Sequence, residues 1–222
     1  MVDSNQDVPK EEIKILEYLI DVRSFLSKLK QNRDKYLNST DVQRTYQEVL
    51  TKVRELDEIR KINHLDATGI TLIHNSELHN RVDSILDDVF QLLSLCFLTV
   101  GLKNSAPATY ASLSTVQSLL EHLMESKIYT HHDLRPIKER LDEISKIVDE
   151  SCAQEKREES LLNGENNCDS LDSMTEEFRK IDTERNKNKI EQDLLLKAKL
   201  SHCLELYNGI ESKLESIDPS LA

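Results

Sequence analysis

The chain has 222 residues, with 41 acidic and 29 basic side chains and a formal net charge of −12. Binding to nucleic acid or to an anionic membrane surface needs a basic face, so this balance argues against both and favours proteins, especially basic ones, as partners. Only four glycines and four prolines interrupt this length, which indicates long helices joined by few connections.

Apolar residues recur at helical spacing in six segments. They predict helices over about 11–30, 41–62 and 77–100, then a fourth opened by Pro107 and lined by Leu113 to Leu123, a fifth lined by Leu134 to Val148, and a sixth over 173–217. The third segment carries two apolar stripes, so we expect it to be the central helix. Gly101 fits the end of that helix, and Gly209 predicts a close helix–helix contact within the sixth.

Other stretches are predicted not to be helical. Residues 1–10 read as a disordered N-terminus and residues 63–76 as an ordered loop. Residues 153–172 read as a flexible acidic linker, since 149–172 contain eight acids and two bases. The predicted organisation is therefore one integrated domain with a first unit over 11–101 and a second over 105–217.

The two units contain similar sequences. TYQEVLTKVRELDEIRKI at 45–62 and THHDLRPIKERLDEISKI at 130–147 align without a gap. Identical residues are Thr45, Leu56, Asp57, Glu58, Ile59, Lys61 and Ile62 in the first copy, matching Thr130, Leu141, Asp142, Glu143, Ile144, Lys146 and Ile147 in the second. This alignment predicts an all-α fold, an antiparallel helical bundle built from two three-helix repeats.

The stretch THHDLRP, residues 130–136, has the composition of a metal or acid–base site. Its two histidines, His131 and His132, align with a tyrosine and a glutamine in the first copy, which cannot both be metal ligands. Asp133 can instead cap the helix that follows, with Pro136 in the first turn, where its missing N–H is not needed. We therefore interpret THHDLRP as the entrance to a helix.

Other candidate residues are weaker. His202 and Cys203 are adjacent, so on a helix they point about 100° apart and cannot easily act together. The acidic pairs Asp57–Glu58, Asp87–Asp88 and Asp142–Glu143 are interpreted as solvated faces, and no phosphate-loop or hydrolase motif is present. The sequence thus assigns no catalytic, cofactor-binding or metal-ligating residue. Of its free thiols, Cys96 and Cys203 are expected in the core and Cys168 at the surface.

Three parts of the chain resemble a known family: YASLSTVQSLLEHL at 110–123, YTHHDLRPIKERLDEI at 129–144, and the paired tails LLSLCFLTV and LLLKAKLSHCLELYN. Together they are similar to the tandem helical repeats of a fungal family of uncharacterised proteins, one of which is linked to proteasome function. The resemblance implies a repeated helical fold over about 13–215 and supplies no catalytic residues.

The function predicted from the sequence is a non-enzymatic interaction or adaptor protein that presents helical faces and an acidic loop to other proteins, with no cofactor. It is expected in the cytoplasm, with the nucleus also open, because the N-terminus lacks an apolar signal core and the apolar run 89–102 is too short for a membrane span. Two alternatives remain: an enzyme with a bundle-core site of dispersed histidines and carboxylates, or a coiled-coil dimer within a larger assembly. The pattern shows no inward-facing polar cluster and leaves the oligomeric state open.

Overall fold

The computed structural model describes residues 8–31, 37–64, 72–73, 75, 78–102, 105–162 and 174–217, with side chains outside 151–182 and 215–217. These ranges contain six helices: α1 Ile13–Gln31, α2 Ser39–Asn63, α3 Arg81–Thr99, α4 Ala106–Ser126, α5 His131–Leu162 and α6 Met174–Ile217. No strand occurs in the described ranges, and the prediction of an all-α fold is confirmed.

The first three helices alternate in direction. Arg60, near the end of α2, pairs with Glu12 just before α1 and with Asp83 at the start of α3. Tyr46, near the start of α2, meets the ring of Phe97 near the end of α3 at a centroid distance of 5.4 Å. Thus α1 and α3 run in one direction and α2 runs in the other, which is an antiparallel arrangement.

The last three helices follow the same scheme. α4 and α5 are joined by only four residues, 127–130, and Arg140 of α5 donates back to Ser112 of α4. α6 runs parallel to α4, because Lys199 lies over the Tyr110 ring and Cys203 contacts the Leu113 carbonyl. The equivalent helix pairs pack in both halves, as two repeats require, although the duplication itself stays a prediction. Contacts of α3 with α4 and of α2 with α6 join the halves.

The core is continuous through both halves. The aligned leucines Leu56 and Leu141 are buried in their respective halves, each no more than 1% exposed. α3 packs against α1, α2 and α4, which explains its wide apolar face and its predicted central place. Cys96 and Cys203 are buried as predicted, whereas the Cys168 prediction lies outside the described residues. No helix in the described ranges has the length and hydropathy needed to cross a membrane.

Both ends of α3 are fixed by local hydrogen bonds. At its start the Asn80 side chain accepts from the Val82 N–H at 2.8 Å, and Asp83 reaches back to the Asn80 N–H at 3.0 Å. This capping box explains why the helix begins four residues later than predicted. At its end Gly101 adopts φ +87°, and the Leu102 N–H donates to the Phe97 carbonyl at 2.8 Å. Gly101 therefore ends the helix as predicted.

The acidic segment after Val148 differs from its prediction. α5 continues through Leu162, so the first ten residues of the expected linker, 153–162, are helical. Their sequence AQEKREESLL consists mostly of strong helix formers and contains neither glycine nor proline, so charge was a poor indicator of a linker there. Residues 163–173, including Ser173, the predicted first residue of the sixth helix, lie outside the described residues.

Gly209 does not mark a close helix contact, which corrects the expectation from the sequence. A Cβ built at Gly209 meets nothing within 4 Å, and its backbone is helical. Gly209→Ala is therefore expected to raise the free energy of unfolding by about 0.5–1 kcal/mol, because alanine loses less backbone entropy in a helix. Urea denaturation followed by circular dichroism measures this change, and a destabilised variant would contradict the open environment.

Candidate functional site

THHDLRP is the start of α5, as predicted, but its capping residue was assigned wrongly. The Asp133 carboxylate accepts hydrogen bonds at 2.8 Å from both the N–H and the hydroxyl of Thr130. The helix begins at His131, so Thr130 precedes it and Asp133 is its third residue, reaching back as the acid of a capping box does. Pro136 then lies inside the helix rather than in its first turn. The cap was predicted at Asp133, three residues after Thr130, the residue that precedes the helix in the structure.

The two histidines of this stretch are exposed. Among the residues whose side chains are described, no group of three or more His, Cys, Asp and Glu could hold a metal ion. The hydrogen bonds from Thr130 hold the pKa of Asp133 below its ordinary value. The stretch thus acts on helix geometry, and a metal role has no supporting geometry in this part of the chain.

Replacing His131 and His132 together by Ala is expected to leave the melting temperature unchanged, whereas Asp133→Ala should lower it by removing the cap. Because the folded pKa of Asp133 is lowered, its stabilisation is present above the ordinary value of 3.8 and is lost as pH falls through the folded pKa. Thermal melts at pH 7 and pH 3 test this. If the parent bound stoichiometric zinc and the double histidine variant did not, the interpretation of THHDLRP as a helix entrance would be contradicted.

A buried ionic cluster lies where α1, α2 and α3 meet. The Arg60 guanidinium donates to Glu12 at 3.0 and 3.1 Å and to Asp83 at 2.9 and 3.0 Å, so it forms two bidentate pairs. Asn80 adds a hydrogen bond to Glu12 at 2.8 Å, and Arg60 also donates to the Leu72 carbonyl. Arg60, Glu12 and Asp83 are each at most 3% exposed. We call these residues the Arg60 cluster.

The charge of Arg60 is retained in spite of its burial. Burial alone would lower the pKa of the guanidinium, but its hydrogen bonds to Asp83 and Glu12 outweigh this and raise the pKa above its ordinary value. Asp57, one turn earlier on α2, accepts from the Leu72 N–H at 2.8 Å and pairs with Lys61. The prediction that Asp57 belongs to a solvated face is therefore wrong, although Glu58 beside it is exposed.

A second polar cluster joins α3, α4 and α6. The ammonium of Lys199, which is 1% exposed, donates to Asp87 at 2.9 and 3.1 Å, and the Tyr110 hydroxyl donates to the same carboxylate. Tyr110 also stacks on Phe90 with ring centroids 4.3 Å apart. Burial and Asp87 together raise the pKa of Tyr110, so the phenol stays protonated. Asp87 is thus a structural ion-pair partner, which again corrects its assignment to a solvated face.

The adjacent pair His202 and Cys203 shows no nucleophile geometry. Cys203 points into the core and contacts the Leu113 carbonyl at 3.5 Å. Burial raises the pKa of the Cys203 thiol to about 11, and burial lowers the pKa of His202. A reactive cysteine needs a lowered pKa, so this thiol behaves as a small core residue, as the sequence indicated.

The inward-facing polar clusters were missed by the sequence analysis, which found none. One signal was available: Arg60 aligns with Ser145 in the second copy, so a large cation replaces a small residue within an otherwise similar helix. Asp57 is buried whereas its counterpart Asp142 is exposed, so the two copies differ at the same place. A departure from a repeat at a position near the core can thus indicate a polar contact specific to one unit.

The contact between α2 and α6 is mostly polar. Asn188 donates to Gln47 at 3.0 Å and lies within 3.4 Å of Thr51, while Tyr46 donates to Gln192 at 2.6 Å. An open cleft of about 370 Å³ lies at this contact, lined by Arg44, Gln47, Glu48, Thr51, Glu184, Arg185 and Asn188. A second cleft of about 220 Å³ is lined by Arg54, Asp57, Glu58, Lys61, Lys187, Ile190 and Glu191. We call this contact, with its two clefts, the α2–α6 junction.

Apolar side chains are exposed at the C-terminal end of α3. Leu95 and Leu98 lie one turn apart on its outer side, 43% and 47% exposed, and Leu102 directly after the helix is 36% exposed. The opposite side of the same turns is buried through residues such as Phe97. We call Leu95, Leu98 and Leu102 the α3 leucine row. It is the candidate surface for contact with another protein.

Two fungal proteins are similar to the chain. It is 66% identical over 219 residues to the Saccharomyces cerevisiae protein named Cu(2+) suppressing and bleomycin sensitive protein 1, covering 98% of this chain and 38% of that protein. It is 35% identical over 150 residues to the Schizosaccharomyces pombe CUB1 family protein C30C2.08, covering 68% of this chain and 30% of that one. The chain is a homologue of these fungal proteins. It spans 38% of the length of the first protein and 30% of the length of the second.

A search of protein-family models finds no match, and no solved structure matches the chain. The two fungal relatives support the resemblance to fungal proteins, whereas the proteasome link is not shown. Neither name states a reaction, a cofactor or a binding partner.

Proposed function

We propose that this chain is a non-enzymatic helical module that binds other proteins. The observation that carries the proposal is the α3 leucine row, because two leucines exposed one turn apart at the end of α3, with a third exposed just after the helix, are more than the single scattered apolar residues normal on a surface. A partner helix or loop that covered them would remove apolar area from water, at about 25 cal/mol per Å².

The buried polar groups further support a non-catalytic role. In the Arg60 cluster each charge pairs with another member and is closed off from solvent, so a substrate has no access to it. Lys199 likewise pairs with Asp87 in the second cluster. A bundle-core enzyme would instead need polar groups held open towards a cavity. The polar groups of both buried clusters instead connect neighbouring helices.

The charge of the chain favours basic partners. A net charge of −12 attracts a basic protein at long range and raises its association rate at low salt. Binding through the α3 leucine row would combine this steering with apolar contact. The family that the sequence resembles includes a protein linked to proteasome function, so proteasome components are the first partners to look for.

Affinity capture from a fungal extract with two matched variants tests the proposal. Leu95→Glu with Leu98→Glu changes the α3 leucine row, and Leu119→Glu changes an equally exposed leucine of α4. Both variants are expected to fold, since the altered side chains are exposed. Mass spectrometry should then identify proteins held by the parent and by Leu119→Glu but lost from the double variant.

Salt gives a second readout of the same experiment. If basic partners are steered by the acidic chain, their association rate should fall as ionic strength rises from 50 to about 300 mM, where the screening length shortens to below about 10 Å. A set of captured proteins that is the same for the parent and the double variant would refute the leucine row as the binding surface.

A further inference from the structure

The α2–α6 junction contains a buried carboxyl oxygen that has no hydrogen-bond partner among the described residues. Glu191 is 5% exposed, and among the described residues its Oε1 has no hydrogen-bond partner and no contact with solvent. The other buried carboxylates described at this end of α2, Glu12, Asp57 and Asp83, all accept hydrogen bonds. An ionised Glu191 would therefore be buried with one oxygen that lacks the donors which normally compensate a charge.

The groups that face Glu191 from α2 are of mixed sign. Burial and the nearby Asp57 raise the pKa of Glu191 to about 7, although Lys61 and Arg54 act in the opposite direction, and Glu58 adds a further rise. Lys61 is paired with Asp57, and Arg54 is paired with Glu184 at 3.2 Å, so both cations are shared with other carboxylates, and Lys187, one turn earlier on α6, lines the same cleft. The carboxyl consequently changes its charge near neutral pH.

The junction is also the part of the α6 packing where polar contacts dominate. Residues 184–192 reach α2 through Glu184, Asn188 and Gln192, with open clefts alongside. Farther along α6, leucines 195, 196 and 200 are buried in the apolar core. Segments held by few apolar contacts open locally at low free energy. A change of charge at Glu191 therefore acts on a segment of α6 that is attached to α2 mainly by polar contacts.

We propose that the α2–α6 junction is a proton-controlled contact: protonated Glu191 keeps residues 184–192 of α6 docked on α2, and its ionisation releases them. This inference does not rest on the proposed binding function, because the α3 leucine row lies on another helix. Release would uncover the α2 surface around Thr51 without unfolding the core. The device makes the connection between the two units sensitive to pH in the range of living cells.

The direction follows from proton binding. The docked state binds the Glu191 proton more tightly, with a pKa of about 7, than an opened state at the ordinary value of 4.5. The docked state therefore has its full advantage below pH 4.5 and loses it as pH rises through 7. Between pH 5 and pH 8 the opening equilibrium should rise between roughly tenfold and roughly 70-fold, the upper figure following from those two pKa values.

Amide hydrogen exchange measured at pH 5 and pH 8, corrected for the intrinsic exchange rate, tests the proposal. Protection of residues 184–192 in the parent should fall by roughly tenfold to 70-fold from pH 5 to pH 8. Residues 196–206, where α6 packs on α4, serve as the internal reference. Glu191→Gln keeps the shape of the side chain without its charge. The opening equilibrium of residues 184–192 in this variant should change by less than about twofold between pH 5 and pH 8. Glu58→Gln removes an exposed acid of the same cleft that makes only the last of the contributions raising the Glu191 pKa, so this variant should keep most of the pH response of the parent.

The titration of the Glu191 carboxyl, followed by carbon-13 NMR of the parent, gives an independent arm that needs no variant. A midpoint near 7 is expected, and a midpoint near the ordinary value of 4.5 would overturn the proposal. So would protection of residues 184–192 that stays constant between the two pH values, or a Glu191→Gln variant with the pH response of the parent. None of these failures would affect the capture of partners by the α3 leucine row.

Discussion

Arg60→Met is expected to lower the free energy of unfolding by about 3–5 kcal/mol, the usual effect of removing one partner from a buried ionic cluster. Methionine fills much of the arginine volume but leaves the carboxylates of Glu12 and Asp83 buried beside each other without a cation. Three helices lose their common contact at this point. Urea denaturation followed by circular dichroism at pH 7 measures the loss.

Arg54→Met is the matched control for this change. Arg54 is also an arginine of α2 paired with an acid, but its partner Glu184 is 53% exposed, so we expect a loss of about 1 kcal/mol or less. Adding Glu12→Gln to Arg60→Met removes one stranded charge and should recover part of the loss, which a double-mutant comparison measures. A loss for Arg60→Met no larger than that for Arg54→Met would contradict the burial of the cluster.

Leu56→Asp and Leu141→Asp should each lower the free energy of unfolding by about 4 kcal/mol or more, because each places an unpaired charge in the core. The two leucines align in the repeat, and both are at most 1% exposed. Thermal melting monitored by circular dichroism shows the effect. Ile62→Asp, at a site 70% exposed near the end of α2, is the control and should change stability by less than about 0.5 kcal/mol.

A variant at Leu56 or Leu141 that melts like the parent would show that the helix facing is wrong. A large loss of stability for Leu56→Asp with none for Leu141→Asp would contradict only the helix packing described for the second unit. Equal losses are expected because the aligned positions share the same burial, although only the burial, and not the duplication, is shown by the structure.

Periodicity was sufficient to predict the helices and much of the core. Leu56 and Leu141 could be placed inside because apolar residues at helical spacing must face the same side, a local property of the sequence. The end of α3 at Gly101 was also predictable, since a left-handed residue at a helix end favours glycine and this signal acts within one turn. Local rules were less reliable at helix starts, where Asn80 and Thr130 compete with other polar residues as caps.

The polar interior could not be predicted in the same way. Arg60 meets Glu12 across 48 residues of sequence, and Lys199 meets Asp87 across 112, so these pairs depend on how helices pack. A charge on a helix is expected in water unless a partner at long range is known. The same reason hides Glu191, whose burial follows from the crossing of α6 over α2 and not from its neighbours in sequence.

The most direct test of the protein-binding role is photo-crosslinking from the α3 leucine row. Benzoylphenylalanine placed at position 98 and, in a separate variant, at position 119 puts the same reactive group on two leucines of similar exposure, 47% and 50%. After irradiation in fungal cells, position 98 should give a discrete adduct with another protein that position 119 does not give. An absence of adducts from position 98, or the same adducts from both positions, would contradict the account.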